Sequence, residues 1–141
     1  MAAQTRATEQ KAERLTQLED YRAQRLVYEE LNHVRQGASF SHAYLITGMA
    51  GVGKSALARL MTRMHMCTGD VKPCGSCKAC RQVEAGTHPD VLELRVGEPL
   101  SPKEQKGKSV IPVGDIRYLR ERLGLNSFEG GHRAVIIDHA D

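Results

Sequence analysis

Apolar residues in this chain occur in two alternating patterns. Ala43-Tyr44-Leu45-Ile46-Thr47, Val91 to Leu94 and Ala134-Val135-Ile136-Ile137 are short continuous runs. Such runs are expected of strands covered on both faces, as in a parallel sheet. Between them the spacing becomes helical. Ala56, Leu57, Leu60, Met61 and Met64 share one face of a helix from Ser55 to Met66. Ile116, Leu119 and Leu123 do the same for a helix through about Leu125, with Asp115 as its expected cap. The first third differs. From about Ala7 to Gln36 the chain is charged and lacks Gly and Pro, with Leu15, Leu18, Tyr21, then Tyr28, Leu31, Val34 at three-residue steps. One long or two short amphipathic helices are predicted there, with residues 1–6 frayed.

Punctuation completes the outline. Gly37 to Ser41 is a loop, a short helix runs through Ala85, and Gly86-Thr87-His88-Pro89-Asp90 is a turn. Arg95 to Lys108 has no periodicity and reads as a loop, and Gly130-Gly131 as a turn. Residues 1–37 are then an N-terminal helical segment. Residues 38–141 alternate strand and helix, which predicts an α/β fold with a parallel sheet.

Composition narrows the class. A length of 141 residues leaves room for one domain and hardly two. The net charge of +3 is mild, whereas a dedicated nucleic-acid binder carries a denser basic stripe. No run reaches membrane-spanning length, and the polar N-terminus lacks a signal peptide's apolar core. A soluble, cytoplasmic protein is expected, with no membrane partner. In that setting the four cysteines point to metal or free thiols rather than disulfides.

Gly48-Met49-Ala50-Gly51-Val52-Gly53-Lys54-Ser55 is a complete G-x-x-x-x-G-K-[ST] phosphate loop between the first apolar run and its helix. Glycines let the backbone approach a ligand closely, and successive N–H groups cradle phosphate oxygens. The following helix offers its positive end to the anion. Lys54 would reach the terminal phosphates, and the Ser55 hydroxyl would ligate Mg²⁺. Asp138 follows the last apolar run directly. A carboxylate at a strand's C-terminal end is the expected magnesium partner of such a loop.

Cys74-Gly75-Ser76-Cys77-Lys78-Ala79-Cys80 holds two overlapping C-x-x-C steps, with Cys67 upstream. Four thiolates suit tetrahedral Zn²⁺ with no open position, a structural site whose folding depends on the metal. An iron–sulfur run would want a further Cys-Pro downstream, where Glu84 and Ala85 stand. A redox pair would need only one C-x-x-C, and His65 is an alternative fourth ligand. His33, His42, His88 and His132 are assigned no chemistry.

The order of these motifs resembles the bacterial DNA polymerase III clamp-loader family. The resemblance is carried by Ser-His-Ala-Tyr-Leu at 41–45, the phosphate loop, the cysteines at 67–80, His-Pro-Asp-Val at 88–91, Asp-Ile-Arg-Tyr-Leu at 115–119 and Val-Ile-Ile-Asp at 135–138. It covers about residues 38–141 and is stronger for the family's delta-prime branch than for gamma/tau. It implies a P-loop AAA+ domain with flanking helices and a zinc module inserted at 67–80. The implied cofactors are ATP or ADP, Mg²⁺ and Zn²⁺. The implied partners are other clamp-loader subunits, the sliding clamp and, through the complex, primed DNA at the nucleoid-associated replisome. By the same carry-over, the loop residues and Asp138 touch nucleotide and magnesium, and Cys67, Cys74, Cys77 and Cys80 bind zinc.

His139 stands where the gamma/tau motors carry Glu after this Asp. Nucleotide binding is therefore better supported than hydrolysis, and no catalytic residue is assigned. In the AAA+ sheet the fourth strand lies between the first and third, and this chain ends after the third. A weakly stable N-terminal fragment is expected, its phosphate-loop strand lacking a neighbour. Three other functions compete. An ATP-hydrolysing gamma/tau-type motor shares the motifs. A small P-loop phosphotransferase shares the loop but explains neither the cysteines nor His88 to Val91. A DNA-binding zinc module would show salt-dependent duplex binding.

Overall fold

The computed structural model describes residues 18–103, 106–107, 109–129 and 131–139. The expected helical residues before Leu18, Leu15 among them, and Gly130 of the expected turn lie outside these. The chain divides into two units, Met1–Glu84 and Ala85–Asp141.

In the first unit a 3-10 turn at Leu18–Tyr21 leads into helix α1, Arg25–Arg35. Among the described residues the expected helical stretch is interrupted. The chain leaves helical geometry at Gln24, whose N–H bonds back to the Tyr21 carbonyl at 2.8 Å. Glu19 and Arg35 pair at 2.8 Å and link the 3-10 turn to the end of α1. Leu18, Tyr21, Leu31 and Val34 form one side of a core. Helix α2, Lys54–Met66, supplies the other side through Leu57, Leu60 and Met64. Each such side chain, fully buried, contributes on the order of 1.5–3 kcal/mol. Helix α3, Lys78–Glu84, buries Ala79, Cys80 and Val83 and packs on α2.

Residues 43–47 correct the expected first strand. No ladder forms there, and Leu45 is 86% exposed. Ile46 packs against the core, while the Tyr44 hydroxyl donates to Glu30 Oε1 at 2.8 Å and accepts from the Ser41 N–H at 3.0 Å. The physical reason is that a strand exists only as part of a ladder. Apolarity makes a segment suitable for burial but does not provide a neighbour for its N–H and C=O groups.

The second unit is a strand–helix–strand unit: β1, Val91–Leu94; α4, Val113–Gly124; and β2, Ala134–Ile137. Among the described residues these strands form a two-stranded parallel sheet, in register from Val91 opposite Ala134 to Leu94 opposite Ile137. Backbone bonds from Ala134 N–H to the Asp90 carbonyl, 3.1 Å, and from Asp138 N–H to the Leu94 carbonyl, 2.9 Å, extend the ladder at both ends.

The start of α4 also differs from expectation. Pro112 occupies the N-cap position, and Asp115 lies inside the first turn, fully buried. Asp115 Oδ1 accepts the Ser101 N–H at 2.7 Å, so the carboxylate ties down the preceding loop instead of capping the helix. Of the three residues predicted to share a buried face, Leu119 is buried, whereas Ile116 and Leu123 are each 45% exposed.

Candidate nucleotide loop and metal centre

The phosphate loop has its conformation built into glycine positions. Gly48, Gly51 and Gly53 have φ of 153°, 75° and 96°. These values favour residues without a Cβ. Gly53 is the N-cap of α2 in left-handed geometry, so the chain reverses sharply into the helix. A Cβ on Gly48 would sit 3.1 Å from Val52 Cγ1, so the turn is also tight.

Lys54 Nζ donates to the Gly48 carbonyl at 2.7 Å and to the Met49 carbonyl at 3.0 Å. The ammonium thus lies back over the loop that precedes it. Met49, 82% exposed, and Ala50 and Gly51 leave the loop backbone open to solvent. Ser55 lies in the first turn of α2. A helix start that brings backbone amides, a cation and a hydroxyl along one short stretch is suited to an anion.

After thirteen residues α2 ends at Met66, and Cys67 follows as its extended C-cap. Cys77 immediately precedes α3, and Cys80 lies in that helix's first turn. Left-handed geometry at Gly75, φ 73°, turns the chain between Cys74 and Cys77. The four sulfurs come within 4.8 Å of one another. Sulfurs about 2.3 Å from a tetrahedral zinc would be about 3.8 Å apart, so the donor set and its size fit a single ion.

Backbone amides surround the sulfurs. Gly69 and Cys74 N–H groups donate to Cys67 Sγ at 3.3 and 3.4 Å. Cys77 N–H donates to Cys74 Sγ at 3.3 Å and Cys80 N–H to Cys77 Sγ at 3.4 Å. Such donors favour thiolate over thiol. Burial pushes the Cys77 thiol up, but the Cys80 and Thr68 amides outweigh it, and its pKa falls to about 6. The Cys77 amide likewise holds Cys74 below the ordinary thiol value. Burial pushes Cys80 up to about 12. His65, the alternative ligand, instead meets the Phe40 ring edge-on with centroids 5.7 Å apart.

Asp138 and His139 belong to the second unit. Asp138 follows β2 and is half-buried. His139 adopts φ 56°, a left-handed conformation uncommon outside glycine, so the chain bends sharply directly after the acid.

The matched family model is described as DNA polymerase III, delta subunit, and it covers residues 23–141. The chain belongs to this family. Within it, the delta' subunit of DNA polymerase III from Bacillus subtilis (strain 168) is 34% identical over 121 residues, 85% of this chain and 32% of the relative. The delta' subunit from Escherichia coli (strain K12) is 31% identical over 115 residues, 80% of this chain and 32% of the relative. The tau subunit from the same organism is 42% identical over 99 residues, 69% of this chain and 14% of that relative. The chain therefore spans about a third of the length of the delta' subunits it matches. No described helix is long and apolar enough to cross a membrane.

Two features of this delta-family chain escaped sequence reading. His88, in the turn before β1, is buried, and its Nδ1 accepts the Asp90 N–H at 3.1 Å. Asp90, 3% exposed, accepts N–H groups from Phe128 at 2.8 Å and Glu129 at 3.1 Å, with Arg133 Nε at 3.5 Å. Arg133 in turn donates to the carbonyls of Arg122 and Asn126. Through these bonds Asp90 ties the start of β1 to the segment before β2.

Proposed function

We propose that this chain is the nucleotide-binding part of a bacterial clamp-loader subunit that helps place the sliding clamp on primed DNA during replication. The observation that carries this reading is the family match over residues 23–141, which encloses an intact phosphate loop set on α2. In this role residues 48–55 hold ATP or ADP within a P-loop fold of the AAA+ class. Lys54 lies at the terminal phosphates, and Ser55 ligates Mg²⁺. Asp138 takes the magnesium-partner role on the strength of the resemblance and its position at a strand end. Cys67, Cys74, Cys77 and Cys80 hold a structural Zn²⁺, a reading supported by the fit of their sulfurs to one tetrahedral ion. The metal organises the module at the C-terminal end of α2, and the nucleotide occupies the loop at its start. The subunit works with other clamp-loader subunits in the cytoplasm, at the replisome.

A second reading, a gamma/tau-type ATPase motor, is favoured by the 42% identity to tau. His139 in place of the usual carboxylate weighs against it, because hydrolysis needs a group that positions water. Reconstitution of the full-length gene product with its organism's other clamp-loader subunits tests both. Clamp loading that depends on this subunit, with ATP turnover by the complex unaffected by Lys54→Ala in it, supports the non-motor subunit. ATP turnover abolished by Lys54→Ala in this subunit alone supports the motor. Absence from the assembled complex contradicts both.

A further inference from the structure

Gly69 lies between the first two cysteines and is not one of the left-handed glycines. Its backbone therefore places no demand for glycine, and the demand is spatial. A Cβ built on Gly69 would lie 2.8 Å from Cys74 Cβ, 3.0 Å from Cys74 Sγ and 3.6 Å from Cys67 Sγ. Ordinary carbon–carbon contact is about 3.5–4.0 Å. The nearest atom is the Cys74 Cβ, which is attached to the main chain and cannot swing away as a flexible side-chain tip could.

Cys74 has little freedom to retreat. Its N–H is bound to Cys67 Sγ at 3.4 Å, and its own sulfur accepts from Cys77 N–H at 3.3 Å and from Ser76 Oγ at 3.7 Å. Gly69 also donates its own N–H to Cys67 Sγ at 3.3 Å. A methyl group at Gly69 would push Cys74 outward, away from Cys67, and strain three sulfur hydrogen bonds together.

We propose that Gly69 is a positioning residue of the metal centre: its missing side chain sets the size of the thiolate cage and thereby how tightly it holds a small ion relative to a larger one. The proposal rests on the metal-centre reading given above. Groups behind the ligands typically change metal affinity by 10–100-fold when altered. A cage opened by one methyl group should lose Zn²⁺ more than the larger Cd²⁺, because the larger ion tolerates sulfurs held farther apart.

The test uses the chain with its four cysteines intact, titrated with Zn²⁺ and Cd²⁺ against a chromophoric chelator. Wild type, Gly69→Ala and Val71→Ala are compared, the last being a 59% exposed neighbour in the same loop. The expected result is that Gly69→Ala weakens Zn²⁺ by about tenfold or more and Cd²⁺ by clearly less, while Val71→Ala matches wild type for both. Zn²⁺ affinity of Gly69→Ala equal to wild type, or equal losses for the two ions, overturns the proposal. Failure of wild type to bind either ion removes the metal-centre reading itself, a result distinct from failure of the glycine's role.

Discussion

Asp90 and Phe128 are 38 positions apart, yet the Asp90 carboxylate accepts the Phe128 N–H at 2.8 Å. With Glu129 and Arg133 also bound, this one side chain fixes the segment between α4 and β2 to the start of β1. Asp90→Ala should therefore lower the unfolding free energy by about 2–3 kcal/mol, because two amides and a guanidinium lose a buried, charged acceptor. Urea denaturation of wild type and variant measures this. An unchanged midpoint would show that the acceptor is dispensable.

The same acid gives the second unit a pH dependence. Burial pushes the Asp90 carboxyl up, but the Phe128 and Glu129 amides and the Arg133 guanidinium outweigh it, and the net shift is downward. A depressed folded-state pKa means that the stabilisation is complete above the unfolded value of about 3.9 and is lost as pH falls through the lower folded value. Wild type should lose stability below about pH 4 more steeply than Asp90→Asn, which has no carboxylate to protonate. Parallel acid profiles for the two proteins would contradict this assignment.

In the four-cysteine cluster, Cys77→Ser removes a sulfur that lies within 4.8 Å of the other three. We expect zinc content to fall and the segment 67–80 to become sensitive to protease, because folding of such modules is coupled to the ion. Helix α1 and the core around Leu31 and Leu60 should persist. Full zinc content in the variant, measured by elemental analysis, would exclude Cys77 as a ligand.

The parts of the fold legible in the sequence are those fixed by short-range pattern. β1 and β2 fall on the predicted runs Val91–Leu94 and Ala134–Ile137. The start of α2 after Gly53 follows from glycine geometry at the loop, and the gathering of Cys67, Cys74, Cys77 and Cys80 follows from their spacing. What was not legible depends on partners remote in sequence. Residues 43–47 are apolar enough for a strand, but apolarity does not specify which neighbour completes the ladder. Asp115 looked like a cap because its local context allows one, while its actual partner, Ser101, lies 14 residues away. His88 and Asp90 read as an ordinary turn because nothing nearby signals the long-range bonds to residues 128 and 129. Gly69 had no signal at all, since its role is the space it leaves for Cys74.

The central claim is that the loop from Gly48 to Ser55 grips a polyphosphate, with Lys54 moving from the Gly48 and Met49 carbonyls to the ligand. Titration calorimetry of the full-length gene product with Mg-ATP, beside Lys54→Ala of unchanged fold by circular dichroism, tests it most directly. Saturable binding by wild type that is weakened at least about a hundredfold in the variant, the loss of roughly 3 kcal/mol expected when a charge-assisted contact disappears, is the predicted result. Equal affinity in the two proteins, or no affinity in wild type for any purine triphosphate, would contradict it.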